Sequence, residues 1–118
     1  MSRRWYLPDC YLPDVSTLHT SHESLCVLND ADTEAVLVIE AYFADRDALV
    51  SDPIRIGPKS CHHLRSADPA QFGGLRIPVA VPYGIVVRSA DEIHLQYSRL
   101  DTTAAAYALM TAIPVAQH

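Results

Sequence analysis

Hydrophobic and polar residues alternate over short stretches of this chain, and this alternation is typical of β-strands. The clearest stretch is A-V-L-V-I-E-A-Y-F at 35–43, which is rich in β-branched and aromatic residues. One of its faces, formed by Leu37, Ile39, Ala41 and Phe43, is apolar throughout and is expected to meet the core. Further strands are predicted at 24–28, 53–57, 60–65, 84–89 and 92–99.

Turn-forming residues separate these strands and favour an all-β fold. The residues N-D-A-D-T-E at 29–34 have the length and polarity of a hairpin turn. The 8 prolines of the chain favour short elements over long helices. Short strands at such intervals predict an antiparallel, jelly-roll-like β-sandwich. The length of 118 residues predicts a single domain over 1–118.

Two segments depart from the strand pattern. The first is Y-L-P-D at 6–9, nearly repeated at 11–14, which predicts two extended turns because proline favours extended backbone before it. An edge or subunit contact is the alternative for it. The second is the Ala-rich stretch that begins at Asp101, which has an N-cap and strong helix formers. It predicts at most a short helix near 101–107, with a return strand from Leu109 to Val115.

Composition disfavours several classes of function. The net charge is −5 and the arginines are scattered, which disfavours nucleic-acid binding. No apolar run approaches the roughly 20 residues of a membrane span, and no apolar stretch follows the basic start, so we expect a cytoplasmic protein that is not membrane-embedded. Cys10, Cys26 and Cys61 form no C-x-x-C pair, which predicts reduced, mostly buried thiols without a zinc site. No cofactor is expected.

The sequence S-H-E at 21–23 raises the question of catalysis. Neighbouring side chains of a strand point to opposite faces, so Ser21, His22 and Glu23 cannot form a Ser-His-acid relay by themselves. No G-x-S-x-G motif is present, and we therefore predict no catalytic residues. The histidines follow no specific metal-binding pattern. A metal-assisted enzyme that uses His22, Glu23 and His63 is nevertheless kept as a third hypothesis.

Polar side chains that share strand faces suggest a different kind of site. If the strands containing 21–23, 60–65 and 92–99 are neighbours, we expect Glu23, His63, Arg65 and Gln96 to form one polar cluster, with Arg65 paired to Glu23. Such a cluster suits a sugar, a small anion or a polar partner surface. The solvated outer face of a sandwich would have the same pattern. The residues expected at the edges of the cluster or beneath it are Ser21, His22, Ser98 and Arg99.

Several of these segments together resemble the sensory rhodopsin transducer family. The matching pieces are SHESLCVLN, AVLVIEAYFAD, DPIRI, HLR and QYSRLD, in the order of the family and at similar spacing. The resemblance covers roughly residues 5 to 115, and the chain departs from the family at YLPDCYLPD and around 66–76. It identifies the following residues as family polar elements without showing which of them bind a ligand: Ser21, His22, Glu23, His63, Arg65, Gln96, Ser98, Arg99 and Asp101.

The resemblance implies a small cytoplasmic β-sandwich, similar to carbohydrate-binding modules, that forms a cyclic homotetramer. It also implies signal relay from a membrane photoreceptor, a microbial sensory rhodopsin. The leading hypothesis is therefore a non-enzymatic signalling or binding module that acts as a homo-oligomer. The alternative is a carbohydrate-binding or small-polar-ligand-binding protein without a rhodopsin partner. Apolar residues on both faces of 25–28 are compatible with assembly, because both faces then need cover.

Overall fold

The computed structural model describes residues 3–14, 22–101 and 108–117, and within them it contains strands and no helix. Alternating apolar side chains and separating turns produce these short elements, as the sequence predicts. In chain order the strands are β1 (Arg3–Cys10), β2 (His22–Asn29), β3 (Ala35–Tyr42), β4 (Leu49–Val50), β5 (Ile54–Ile56), β6 (Ser60–Arg65), β7 (Tyr83–Ser89), β8 (His94–Asp101), β9 (Ala108–Ala112) and β10 (Val115–Gln117).

The strands form two antiparallel sheets that pack face to face as a β-sandwich, which confirms the predicted fold class. The larger sheet has the order β10-β1-β7-β3-β4, and β5 also pairs with β3. The smaller sheet has the order β6-β2-β8-β9. The core lies between them, and each aliphatic side chain buried there contributes about 1.5–3 kcal/mol. Among the residues that fill it are Leu25 and Val27 of β2, Leu37 and Ile39 of β3, and Val87 of β7.

The turn at 29–34 was predicted as a hairpin, and that prediction is wrong. It connects β2 of the smaller sheet to β3 of the larger sheet. Asn29 is 1% exposed, and its Nδ2 donates to the carbonyl oxygens of Thr33 at 2.9 Å and Gly57 at 3.1 Å. Its Oδ1 accepts from the Ala31 nitrogen at 3.1 Å. Asn29 therefore satisfies buried backbone groups where the chain changes sheets.

The first Y-L-P-D was predicted as a turn, but it lies within strand β1. Trp5 and Leu7 alternate into the core, and this burial favours a strand. The pairing of β1 with β7 shifts between Leu7 and Cys10, around Pro8, which has no N–H to donate to the ladder. A Cβ on Gly84 would lie 3.2 Å from the Leu7 carbonyl oxygen, so glycine allows β7 to approach the irregular part of β1.

The C-terminal prediction is tested only in part. Residues 102–107, where a short helix was predicted, lie outside the described residues. The predicted return strand is present as two strands, β9 and β10, which pair with β8 and β1 respectively. Ile113 and Pro114 carry the chain from one sheet to the other. In the part of the chain that the structure describes, no helix is long and apolar enough to cross a membrane.

Candidate functional site

The outer face of the smaller sheet brings together most of the polar residues that the sequence singles out. Strand β2 lies between β6 and β8, as the predicted cluster requires. His63, Arg65 and Gln96 are exposed on this face, and Ser98 is half-buried. The pairing register places two rows across the face, His63–Cys26–Gln96 and Arg65–Ser24–Ser98. These rows form a surface of hydrogen-bonding groups; whether they contact a ligand stays a prediction.

Glu23 does not belong to this surface, so its predicted place in the cluster and its pairing with Arg65 are wrong. The side chain of Glu23 is 1% exposed and faces the core together with Leu25 and Val27. The residue of β2 opposite Arg65 is Ser24, while Glu23 lies opposite Arg99 of β8. The two-residue period of a strand explains the error, because burial of Leu25 and Val27 forces Glu23 to the same side.

The carboxylate of Glu23 is surrounded by donors from both sheets. Its Oε1 accepts from the Tyr83 hydroxyl and from the Ser66 hydroxyl, the latter at 2.7 Å. Its Oε2 accepts from the Tyr97 hydroxyl and from the Tyr11 backbone nitrogen, the latter at 3.2 Å. An isolated buried carboxylate is costly, and these donors replace the water it loses. We call Glu23, Ser66, Tyr83, Tyr97 and the Tyr11 nitrogen the Glu23 network.

The Glu23 network consists of one carboxylate and uncharged hydrogen-bond donors. Burial raises the pKa of Tyr83 and of Tyr97 above the ordinary tyrosine value, and the nearby negative charge of Glu23 raises both further. Burial, followed by the charge of Glu23, also raises the pKa of the Cys10 thiol. Both tyrosines therefore remain protonated donors at neutral pH. This arrangement joins strands of both sheets through one buried carboxylate.

Arg99 lies next to the Glu23 network on the core side of β8. The Cζ of Arg99 is 5.9 Å from the centroid of the Tyr11 ring, and its Nη1 is 3.7 Å from Oδ1 of Asp9. Its Nη2 lies 3.2 Å from the Met110 sulfur of β9. These contacts connect β8 to the end of β1 and to β9. Asp101 ends β8 and is half-buried, and Ser21 lies outside the described residues.

The three residues of the metal-enzyme hypothesis do not lie on the same side of the sheet. Glu23 points into the core, whereas His22 and His63 lie on the outer face. His22 is half-buried, and partial burial together with the positive charge of Arg65 lowers its pKa. Among the described residues, no group of three or more His, Cys, Asp or Glu side chains is placed to hold a metal ion.

Several features of the site were missed from the sequence. The tyrosine donors of the Glu23 network lie on strands remote from it in the chain, although the position of Glu23 next to Leu25 was a usable signal of burial. Exposed apolar side chains at the C-terminal end of the smaller sheet were also missed: Leu109 is 71% exposed and Ile113 79%. The prediction of mostly buried thiols holds for Cys10 alone, because Cys26 is half-buried and Cys61 exposed.

Comparisons with known proteins agree with this fold. The family model of the Anabaena sensory rhodopsin transducer matches residues 2–116. The crystal structure of Thermotoga maritima 1070 is 36% identical and covers 96% of this chain and 92% of its own, with a TM-score of 0.84. The structure of the Anabaena sensory rhodopsin transducer is 23% identical over 80% of this chain and 92% of its own, with a TM-score of 0.68, and it shows the fold alone. No curated protein matches the chain. This chain belongs to the Anabaena sensory rhodopsin transducer family.

Proposed function

We propose that the protein is a non-enzymatic signalling and binding module that acts as a cyclic homotetramer in the cytoplasm. Its signal would come from a membrane photoreceptor or another signalling protein. Membership of a family named after a sensory rhodopsin transducer supports this role. Both sheets are antiparallel, and such sheets commonly leave one face outside the core.

The observation that carries the assembly proposal is the outer edge of β9. Strand β9 ends the smaller sheet, and no other described strand pairs with its outer edge. It also carries Leu109, which is 71% exposed and lies opposite the half-buried Leu100 of β8. An open strand edge with an exposed leucine is a ready surface for another chain. In a ring, each subunit would offer this edge to a different surface of its neighbour.

Multi-angle light scattering tests the assembly. We expect a tetramer at micromolar concentration and a smaller species for Leu109→Arg, because a charge would be buried in the contact. Val79→Arg is the matched control, since Val79 is 50% exposed but lies in the turn before β7 and not on the end strand of a sheet. A monomeric wild-type protein would contradict the assembly. Binding to a microbial sensory rhodopsin in nanodiscs, measured in the dark and in light, tests the photoreceptor partner separately.

A second candidate function is binding of a sugar or another small polar ligand on the outer face. The exposed side chains of His63, Arg65 and Gln96 favour it, because they offer ring, guanidinium and amide groups on one surface. A sugar panel in a thermal-shift assay tests this, since a ligand of the native state raises the melting temperature. Arg65→Ala should abolish the shift and leave the oligomer intact.

A further inference from the structure

A pocket of about 520 Å³ lies where the chain crosses from the smaller sheet to the larger one. Ile113 and Pro114 of the crossing form one side, and Trp5 of β1 forms part of the wall. The outer face of the smaller sheet contributes Leu28 of β2. This volume falls within the range of about 300–1,000 Å³ that is usual for small-molecule sites. We call it the crossing pocket.

The crossing pocket meets the edge of strand β8. Residues 93 to 96 all line it, although neighbouring side chains of a strand point to opposite faces. Four consecutive lining residues therefore place the strand edge itself against the pocket. This edge of β8 is open because β9 is short. The pairing of β9 with β8 begins at Tyr97–Ala112, so the part of β8 before Tyr97 has no partner in β9. Backbone N–H and C=O groups of such an edge can bond a ligand.

The chemistry of the lining restricts the ligand. Its described residues include no Asp, Glu, Lys or Arg, and its only imidazole, His94, is exposed to water, so an ion would lose water with little compensating charge. The indole of Trp5 and the aliphatic chains of Leu28 and Ile113 favour an aromatic group. The exposed amide of Gln96 can both donate and accept a hydrogen bond.

We propose that the crossing pocket binds a small, uncharged aromatic molecule that carries an amide-like hydrogen-bonding edge. The aromatic ring lies against Trp5 and Leu28, and the polar edge bonds Gln96 and the open edge of β8. All of its described lining residues belong to one chain, so its test is separate from those of the photoreceptor and of the tetramer. Its occupant would be a metabolite-sized effector rather than a macromolecule, because the space is closed on one side by the Ile113–Pro114 crossing.

Three probes of one shape and different charge test the proposal: benzamide, benzoate and benzamidinium. Trp5 is the only tryptophan of the chain and lines the pocket, so its single indole N–H signal in a ¹H–¹⁵N spectrum is assigned without ambiguity. We expect benzamide to shift this signal with a dissociation constant of about 1 mM, which is ordinary for so small a molecule. The two ions should bind at least about tenfold more weakly.

Thiol alkylation gives an independent readout. Cys26 and Cys61 line the pocket, whereas Cys10 is buried in the core. Saturating benzamide should slow the reaction of Cys26 and Cys61 with iodoacetamide, and benzoate should not. Equal binding of all three probes, no binding of any, or shifts confined to residues outside the pocket would overturn the proposal.

Variants place the binding in the pocket. Leu28→Glu adds a carboxylate to the lining at a half-exposed position. This variant should bind benzamidinium more tightly than benzamide. Val50→Glu adds the same charge to the other sheet and should bind like the wild type. If Leu28→Glu does not fold, Gln96→Leu replaces it and should weaken benzamide about tenfold by removing a hydrogen-bonding partner. Equal behaviour of the pocket variant and Val50→Glu would refute the site.

Discussion

Glu23 of β2 accepts a hydrogen bond from the hydroxyl of Tyr83 of β7, and this contact joins the two sheets through the core. A second tyrosine, Tyr97 of β8, donates to the other oxygen of the same carboxylate. A residue that resembles part of a catalytic motif in the sequence therefore serves to hold the sandwich together. The first predictions follow from this arrangement.

Glu23→Ala should strongly destabilise the fold. It leaves two tyrosine hydroxyls, the Ser66 hydroxyl and the Tyr11 nitrogen without their shared acceptor. Each buried donor left without an acceptor costs about 1–3 kcal/mol of unfolding free energy, so the loss should exceed that of a single hydrogen bond. Urea denaturation followed by circular dichroism measures this. Glu34→Ala is the control, because Glu34 forms an exposed pair with Arg55 that contributes about 0–1 kcal/mol.

Tyr83→Phe and Tyr97→Phe should each lower the unfolding free energy by about 1.5–3 kcal/mol. Each change removes one hydroxyl donor to a charged acceptor and keeps the buried ring. The two changes share the Glu23 carboxylate, so the double variant should differ from the sum of the single ones. Simple additivity in denaturation experiments would show that the two hydroxyls act independently. Tyr42→Phe, on the exposed face of β3, is the control.

The sequence predicts the parts of the fold that depend on local alternation. The apolar face of β3 follows from period two, and so does the shared face of His63 and Arg65 on β6. The same rule puts Glu23 on the face of β2 that Leu25 buries in the core. The polarity of Glu23 points to the outer face instead, and the two signals conflict. Burial of the apolar side chains fixes which face of a strand meets the core. A single carboxylate on that face is then buried as well when hydrogen-bond donors surround it.

Other features depend on contacts between remote parts of the chain. Tyr83 and Tyr97 are 60 and 74 residues from the carboxylate they bond, and no local pattern connects them. The Ile113–Pro114 crossing likewise depends on which sheet offers β10 a partner. The pocket beside it is a consequence of that topology, so it could not be predicted from the residues that line it.

The three cysteines should differ sharply in reactivity. Burial, then the charges of Glu23 and Asp9, raises the pKa of Cys10, which keeps its thiol protonated and unreactive at pH 8. Cys61 is exposed on β6 and should react with iodoacetamide fastest, followed by the half-buried Cys26. Peptide mass spectrometry over a time course measures each site. Cys10 should be modified only after unfolding in urea, and its rapid alkylation in native protein would contradict the described burial.

His22 should make the protein less stable as the pH falls. Partial burial and then the positive charge of Arg65 lower its folded-state pKa below the ordinary 6.5. The unfolded chain therefore binds a proton at His22 more readily than the folded chain, and the contribution of His22 to stability is lost as the pH falls below about 6.5. Urea denaturation at pH 7.5 and pH 5.5 measures the difference in unfolding free energy between the two conditions. His22→Gln should reduce this difference, and Arg65→Ala should reduce it by a smaller amount because the charge is the second cause.

His62→Gln, on neighbouring β6, is the matched control for His22→Gln. An equal effect of the two substitutions would show that the local surroundings of His22 do not set the pH dependence.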